Sequence, residues 1–140
     1  MAIRKLFVVL ALVLAVGCSS KTPLSQLSGK VTFKGDPVPA GFIAFTPDVA
    51  KGNLGPIQVF QIKDGVYDSA KQEPPGINPG PYLLEIAGFN GKKEPFFGQG
   101  KQIFNPIKDE CVVPEGTSTK DFVIPESAGQ NVKIQKTADS

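Results

Sequence analysis

The hydrophobic residues of this chain occur in short runs that alternate with polar residues and end at glycine or proline. All 13 prolines and all but one of the 15 glycines lie beyond position 17, and between Gly17 and Gly129 no stretch free of both exceeds eight residues. Helices average about 11 to 12 residues and tolerate interior proline badly, whereas strands average about 5 to 6. The pattern therefore predicts an all-β fold of short strands and turns.

The clearest alternation lies in residues 82–87, where Tyr82, Leu84 and Ile86 share one face and predict a core strand. The pair Asp64-Gly65 is typical of a hairpin turn, because glycine accepts the positive φ that such a turn requires. The other predicted strands are residues 27–34, 42–46, 56–62, 66–68, 101–104, 110–113, 120–124 and 131–134.

The strand predicted at 56–62 changes its apolar face partway along. Ile57 and Val59 have one parity, whereas Phe60 and Ile62 have the other. A strand with this pattern is expected either to contain a bulge or to be covered on both sides.

The first 17 residues have the organisation of an export signal. Arg4 and Lys5 precede an uninterrupted apolar run, residues 6–16. A run of this length is too short for a membrane-spanning helix, which needs about 20 residues. A basic start followed by a short apolar run is typical of a signal peptide, so we predict that the protein is exported.

The end of the apolar run, Leu14-Ala15-Val16-Gly17-Cys18, resembles a bacterial lipobox, although Ala15 and Val16 depart from the residues usual at their positions. In that class the cysteine is lipidated and becomes the first residue of the mature protein. The resemblance implies a membrane anchor on Cys18, and a serine in the next position implies the outer membrane. The alternative is an ordinary secreted protein cleaved near Gly17, with Cys18 as an incidental thiol.

These features divide the chain into four parts. The predicted parts are a signal peptide at 1–17, the lipidated cysteine with a short tether at 18–26, a single β-sandwich domain at 27–136 and a frayed C-terminus at 137–140.

Charge and composition exclude several classes of function. Arg4 and Lys5 belong to the signal, so the remainder has 13 basic residues against its 13 acidic ones and contains no arginine. Without a cluster of basic residues, we expect no nucleic-acid partner. The chain also contains no histidine, which excludes Ser/His and Cys/His pairs and most zinc sites. We therefore predict a protein that is not an enzyme and holds neither a cofactor nor a metal.

The remaining groups with chemical potential have simpler interpretations. Cys111 lies in a short apolar segment, which favours a buried side chain over a catalytic thiol that would lack a histidine base. Carboxylates are candidate Ca²⁺ ligands, but their spacing follows no calcium-loop motif and favours scattered solvated charges. They are Asp64, Asp68, Asp109, Glu110 and Asp121.

Four short motifs occur in an order typical of one family. They are Gly35-Asp36-Pro37-Val38, Phe45-Thr46-Pro47, Asp64-Gly65-Val66-Tyr67 and Gly80-Pro81-Tyr82. Residues 27–125 thereby resemble the carboxypeptidase regulatory-like, or transthyretin-like, domain of bacterial envelope lipoproteins. The resemblance implies a seven-stranded Greek-key β-sandwich of transthyretin-like or Ig-like type. The connection 67–81 is longer and richer in proline than the usual version.

The resemblance also bears on activity. Zinc carboxypeptidases carry such a domain beside a separate catalytic domain, and transthyretin-related hydrolases depend on histidines that this chain lacks. The resemblance therefore implies an accessory or binding role.

One predicted loop, residues 88–100, combines Lys92 and Lys93 with Phe96 and Phe97. Exposed aromatic side chains on such a loop bind sugars, peptides or a lipid surface. The simpler interpretation is that Phe96 or Phe97 packs against the domain while the lysines are solvated, because exposed apolar area is unfavourable.

Three hypotheses of function follow. The leading one is a lipid-anchored envelope protein that presents a non-catalytic β-sandwich, as an accessory or interaction domain, to another envelope component. The second is a module that binds polysaccharide or peptide through the aromatic residues of the loop at 88–100. The third is an unrecognised carboxylate-dependent hydrolase.

Overall fold

The structure, a computed structural model, describes Gly17 and residues 21–130, and this part of the chain is all-β, as predicted. The rest of the predicted signal peptide, Cys18, the strand predicted at 131–134 and the C-terminus at 137–140 lie outside the described residues.

The strands of the described residues form one curled sheet. Short 3₁₀ helices lie at Val49–Lys51, Ser69–Lys71 and Glu126–Gly129. The described residues form nine strands: β1 (Gln26–Phe33), β2 (Asp36–Pro37), β3 (Ala40–Pro47), β4 (Gln58–Lys63), β5 (Val66–Asp68), β6 (Gly80–Phe89), β7 (Ile107–Val113), β8 (Thr117–Thr119) and β9 (Phe122–Ile124).

Strand β1 is paired along both of its edges. The sheet has the order β2-β1-β5-β4-β3-β6-β7, and all of these neighbours are antiparallel. On its other edge β1 pairs in parallel with β8 and β9, so that Ser28 faces Asp68 on one side and Thr119 on the other. The longest ladder joins β3 to β6, from Ala40 opposite Phe89 to Pro47 opposite Tyr82.

The strand directions give the sheet two distinct ends. We call the end where β1 begins the N-terminal end, and the segments 48–57, 69–79 and 114–116 lie there. The opposite end, which we call the loop end, carries the turns at Lys34-Gly35 and Asp64-Gly65 and the segment 90–106. Strand β6 runs between them, and its ten residues span roughly 30 Å.

The inner face of the sheet carries the hydrophobic core. The predicted trio of Tyr82, Leu84 and Ile86 is buried, and the ring of Phe45 lies 5.1 Å from that of Phe60 and 5.7 Å from that of Tyr82. Irregular segments contribute as well, since Ile77 and Phe104 are fully buried. The core residues are Leu27, Val31, Val38, Ile43, Phe45, Phe60, Ile62, Tyr67, Ile77, Tyr82, Leu84, Ile86, Phe104, Cys111, Val113, Phe122 and Ile124.

Two local predictions were wrong. The expected bulge or double cover at 56–62 is replaced by a simple one-sided strand, β4, in which Phe60 and Ile62 are buried while Val59 and the preceding Ile57 are exposed. The strand expected at 101–104 is irregular apart from a single bridge between Gln102 and Phe89. The hydrophobic pattern there reflects the burial of Phe104 rather than strand pairing.

A close backbone contact joins β1 to the segment between β8 and β9. A Cβ atom at Gly29 would overlap the carbonyl oxygen of Lys120 and lie 3.0 Å from the ring of Tyr67. Only glycine fits there, because any side chain would push the two segments apart.

Tyr67 stabilises the same contact from the core side. It is buried, and its hydroxyl donates a 2.6 Å hydrogen bond to the carbonyl oxygen of Lys120. Burial raises the pKa of Tyr67, and charge repulsion from Asp121 and from the Cys111 thiolate that forms in alkaline solution raises it further. The pKa of Tyr82 is also raised by burial.

We expect the substitution Gly29→Ala to lower the free energy of unfolding by at least about 2 kcal/mol, since the new methyl group overlaps a backbone carbonyl. Urea denaturation measures this loss. The matched control is Gly98→Ala, where a Cβ atom would have no neighbour within 4 Å, and its effect should stay within about 0.5 kcal/mol. Equal effects of the two substitutions would contradict the assignment of the contact.

We expect the free energy of unfolding to fall in alkaline solution, and we expect Tyr67→Phe to make this fall smaller. The folded pKa of Tyr67 lies above its ordinary value of 10.0, so this contribution to stability is complete below pH 10 and is lost as the pH rises further. Tyr67→Phe should remove about 1.4 kcal/mol per pH unit of that slope above pH 10. At neutral pH the same variant should lose about 1 to 2 kcal/mol, because the carbonyl of Lys120 is left without its partner.

The measurement for this prediction is urea denaturation at a series of pH values from neutral to 12. The comparison variant is Tyr82→Phe, which should reduce the slope less, because the side chain of Asn53 opposes the rise in the pKa of Tyr82. An alkaline slope that is unchanged in Tyr67→Phe would be inconsistent with a raised pKa at this site.

Candidate functional site

The segment 90–106 forms an irregular but well-braced projection at the loop end. The backbone N–H of Asn90 donates to the carbonyl of Lys101 at 2.9 Å, and that of Gly91 donates to the carbonyl of Gln99 at 2.9 Å. These bonds close the base of the segment, which we call the aromatic loop and define as residues 90–102.

The side chain of Asn90 braces the aromatic loop from inside. Its Oδ1 atom accepts hydrogen bonds from the backbone N–H groups of Lys92 at 3.0 Å and Lys101 at 3.1 Å. Gly100 has a φ of +87°, and a Cβ atom there would overlap Oδ1 of Asn90. The dipeptide Asn90-Gly91 is the sequence signal for this arrangement, because Asn-Gly favours tight turns.

The tip of the loop is a two-residue turn. Glu94 and Phe97 exchange backbone hydrogen bonds of 3.2 and 3.0 Å, with Pro95 and Phe96 between them. Phe96 has a φ of +74°, which at the position after proline indicates a type II turn. Glycine or asparagine usually occupies that position, because an L-residue with a Cβ atom is strained there.

Both aromatic side chains at the tip reach solvent. Phe96 is fully exposed, at 101%, and Phe97 is 50% exposed. Phe96 therefore does not pack against the domain, and the simpler interpretation from the sequence, in which one of these rings does so, applies only to Phe97. The structure places the two rings at the turn of the aromatic loop.

The charges around the tip are predominantly positive. Lys92 and Lys93 are exposed, and Lys101 forms a 3.7 Å ion pair with Glu94, the acidic residue of the loop. The side chain of Gln99 donates to Oε1 of Gln61 at 3.1 Å, which connects the loop to β4. The structure thus brings the four predicted contact residues together on one cationic, aromatic loop.

Cys111 is buried, as expected from its apolar segment, and it faces Tyr82 across the β6–β7 ladder. Burial raises the pKa of its thiol, partly offset by the positive charge of Lys120. A buried thiol with a raised pKa is a poor nucleophile at neutral pH.

Most of the carboxylates considered as metal ligands have structural partners. Asp68 accepts from the backbone N–H of Ala70, Asp121 accepts from that of Lys30, and Asp109 accepts from that of Glu110. Among the residues that the structure describes, no group of three or more His, Cys, Asp or Glu side chains is arranged to hold a metal ion.

Two concave surfaces lie away from the aromatic rings. One, of about 320 Å³, lies beside the β4–β5 hairpin and is lined mainly by charged and amide side chains. The other, of about 150 Å³, lies between the start of β4 and residues 72–74. Small-molecule pockets are usually lined by hydrophobic and aromatic side chains, whereas Val66 is the one hydrophobic residue among the seven that line the larger surface.

The outer edge of β7 is protected against pairing with another strand. In the described part of the chain β7 pairs with β6 alone, and its centre is the charged run Lys108-Asp109-Glu110. The Asp109 side chain accepts the N–H of Glu110, and Glu110 also lies 3.4 Å from Lys51. Charged residues of this kind are a common means of blocking edge-to-edge association.

The chain was compared with known protein families, sequences and structures. No protein-family model and no curated protein sequence matches the chain. Its structure is similar to the crystal structure of a DUF3823 family protein from Parabacteroides merdae ATCC 43184, at 13% identity and a TM-score of 0.44. The alignment covers 74% of this chain and 46% of the other, so this chain spans less than half of that protein's length. Within the described residues, no helix has the length and hydrophobicity needed to cross a membrane.

We expect Phe96→Gly to leave the free energy of unfolding unchanged or to raise it by up to about 1 kcal/mol. Glycine relieves the positive φ, at a partly offsetting cost in chain entropy, and the phenyl ring that it removes is fully exposed. Urea denaturation tests this prediction, with Phe104→Ala as the reference for a buried ring, which should lose about 3 to 5 kcal/mol. A loss above about 1 kcal/mol in Phe96→Gly would show that the ring packs against the protein.

Proposed function

We propose that this protein is a lipid-anchored component of the bacterial cell envelope, held in the outer membrane by acyl groups on Cys18. Its folded domain is a non-catalytic accessory or interaction domain that presents the aromatic loop to another envelope component. Stable attachment requires more than one acyl chain, because a single chain binds a bilayer only marginally.

The observation that carries this proposal is the position of the aromatic loop relative to the start of the domain. Strand β1 begins at the N-terminal end of the sheet, whereas Phe96 and Phe97 lie at the loop end. About seven residues separate Cys18 from β1, a reach of roughly 25 Å at full extension. An anchor at Cys18 therefore holds the N-terminal end near the membrane and directs the loop end away from it.

The proposal includes the finer identity of the fold as a transthyretin-like, seven-stranded Greek-key sandwich of the carboxypeptidase regulatory-like family. The family motifs fall at structurally consistent places in the sheet. Asp64-Gly65 is the turn between β4 and β5, and Gly80 begins β6. Gly35 belongs to the turn between β1 and β2.

A non-catalytic role is supported by three carboxylates that make structural contacts. Asp68 and Asp121 accept hydrogen bonds from backbone N–H groups, and Asp48 lies 3.7 Å from Lys51. These contacts hold turns and strand ends in place.

A second candidate is a module that binds polysaccharide or peptide through the same loop. The exposure of Phe96 and Phe97 favours it, because an aromatic ring projecting from a braced loop presents a large contact area at little entropic cost.

We expect intact-mass analysis of the protein from membrane fractions to show a chain that begins at Cys18 and carries a diacylglyceryl group and an N-acyl group. Cys18→Ser should abolish the added mass and move the protein from the membrane to the soluble fraction, because the acyl chains provide the attachment. The matched control is Ser19→Ala, which should leave the modification in place. A soluble wild-type product with an unmodified cysteine would refute the anchor.

A further inference from the structure

We propose that the tip of the aromatic loop binds the surface of an anionic lipid bilayer, with Phe96 and Phe97 inserted among the lipids and Lys92 and Lys93 at the headgroups. This inference deepens the proposed function, since it names the partner of the same loop. The vesicle binding that it predicts does not require an acyl group on Cys18.

The shape of the site favours a soft apolar partner. Phe96 is fully exposed at the centre of a two-residue turn, and neither of the two concave surfaces described above is lined by Phe96 or Phe97. A fully exposed ring enters its partner rather than enclosing it. A phenyl ring gains free energy on entering the apolar part of a bilayer.

The charge around the tip favours an anionic surface. Lys92 and Lys93 are exposed, while the carboxylate of Glu94 is occupied by the ammonium group of Lys101. Each lysine near an anionic lipid surface contributes about a fivefold gain in affinity. Aromatic rings flanked by lysines are the combination that interfacial membrane-binding segments use.

The backbone of the loop holds the rings outward before any partner arrives. The turn at Glu94–Phe97 is closed by two backbone hydrogen bonds, and Asn90 braces both sides of the loop. The positive φ of Phe96 is unfavourable in isolation and does nothing to bury its ring. Such preorganisation lowers the entropic cost of inserting the rings.

The position of the loop limits which bilayer it reaches. A chain anchored at Cys18 has its loop end roughly 30 Å from the N-terminal end of the sheet. The rings therefore reach a second lipid surface that faces the domain. The location of the lipid probe in the experiment distinguishes binding to this facing surface from a return of the loop to the anchoring bilayer.

The test uses Phe96→Trp in the full-length chain, because the protein contains no other tryptophan. Lipidated protein is reconstituted in phosphatidylcholine vesicles, and vesicles with about one-third phosphatidylglycerol and brominated acyl chains are then added. In a second arm, the brominated anionic lipid is placed in the anchoring vesicles. A chain without acyl groups is mixed with the brominated vesicles directly. We expect a blue shift and quenching of the tryptophan when the brominated anionic lipid is in the added vesicles, and neither with phosphatidylcholine alone.

Sedimentation with the same anionic vesicles, using the chain with Cys18→Ser, measures the contribution of each side chain. Phe96→Ala should weaken binding at least about tenfold, and Lys92→Gln with Lys93→Gln about 25-fold. The matched controls are Lys30→Gln and Lys108→Gln, which remove exposed lysines from β1 and β7 and should change binding less than twofold. Raising the salt concentration to about 1 M should abolish the contribution of the lysines.

The reporter control is Val49→Trp, an exposed position at the N-terminal end that should show no quenching by added vesicles. The proposal is overturned if the added brominated vesicles do not quench Phe96→Trp, if only the lipid of the anchoring vesicles quenches it, or if the lysine variants bind as the parent chain does. It is also overturned if the parent chain does not bind anionic vesicles but binds a glycan or a soluble peptide, and Phe96→Ala abolishes that binding. An unmodified Cys18 would refute the anchor and leave vesicle binding intact, so the two failures are distinguishable.

Discussion

The close approach of Gly29 to the carbonyl of Lys120 is the contact on which the rest of the domain depends. Three hydrogen bonds hold it: the N–H of Lys120 donates to the carbonyl of Ser28, the hydroxyl of Tyr67 donates to the carbonyl of Lys120, and Asp121 accepts from the N–H of Lys30. A side chain at position 29 would break these three hydrogen bonds. Because glycine stands there, β1 keeps partners on both edges. With both edges paired, the sheet curls around its core and leaves β1 no free edge for association.

The pairing of β1 also separates the two functional regions that we propose. The strand begins beside the irregular segments that contain Ile77 and Gly116, so the N-terminal tether leaves the domain at that end. Successive antiparallel neighbours then carry the chain back and forth until β6 delivers the aromatic loop to the opposite end. The separation of anchor and loop is thus a consequence of strand order and of the length of β6.

The aromatic loop combines a hydrogen-bonded backbone with one residue, Phe96, in an unfavourable backbone conformation. Asn90, Gly100 and the Glu94–Phe97 turn satisfy the polar backbone groups of the loop. Phe96 combines a positive φ with complete exposure, and each is unfavourable for a phenylalanine in an isolated domain. Local violations that bring no gain in stability are typical of sites shaped by binding. The anionic bilayer that we propose as the partner would recover the apolar contact that the isolated domain lacks.

The sequence alone determined the fold class, most strands, the Asp64-Gly65 hairpin and the buried face of β6, because strand periodicity and turn chemistry act over a few residues. It also marked Lys92, Lys93, Phe96 and Phe97 as candidates. Only the tertiary structure decided that Phe96 is exposed while Phe104, in a stretch mistaken for a strand, enters the core. It likewise decided that the face of β4 bearing Val59 stays uncovered. These outcomes depend on which distant segments pack against each side chain. The alternation of apolar and polar residues along one segment does not specify those packing partners.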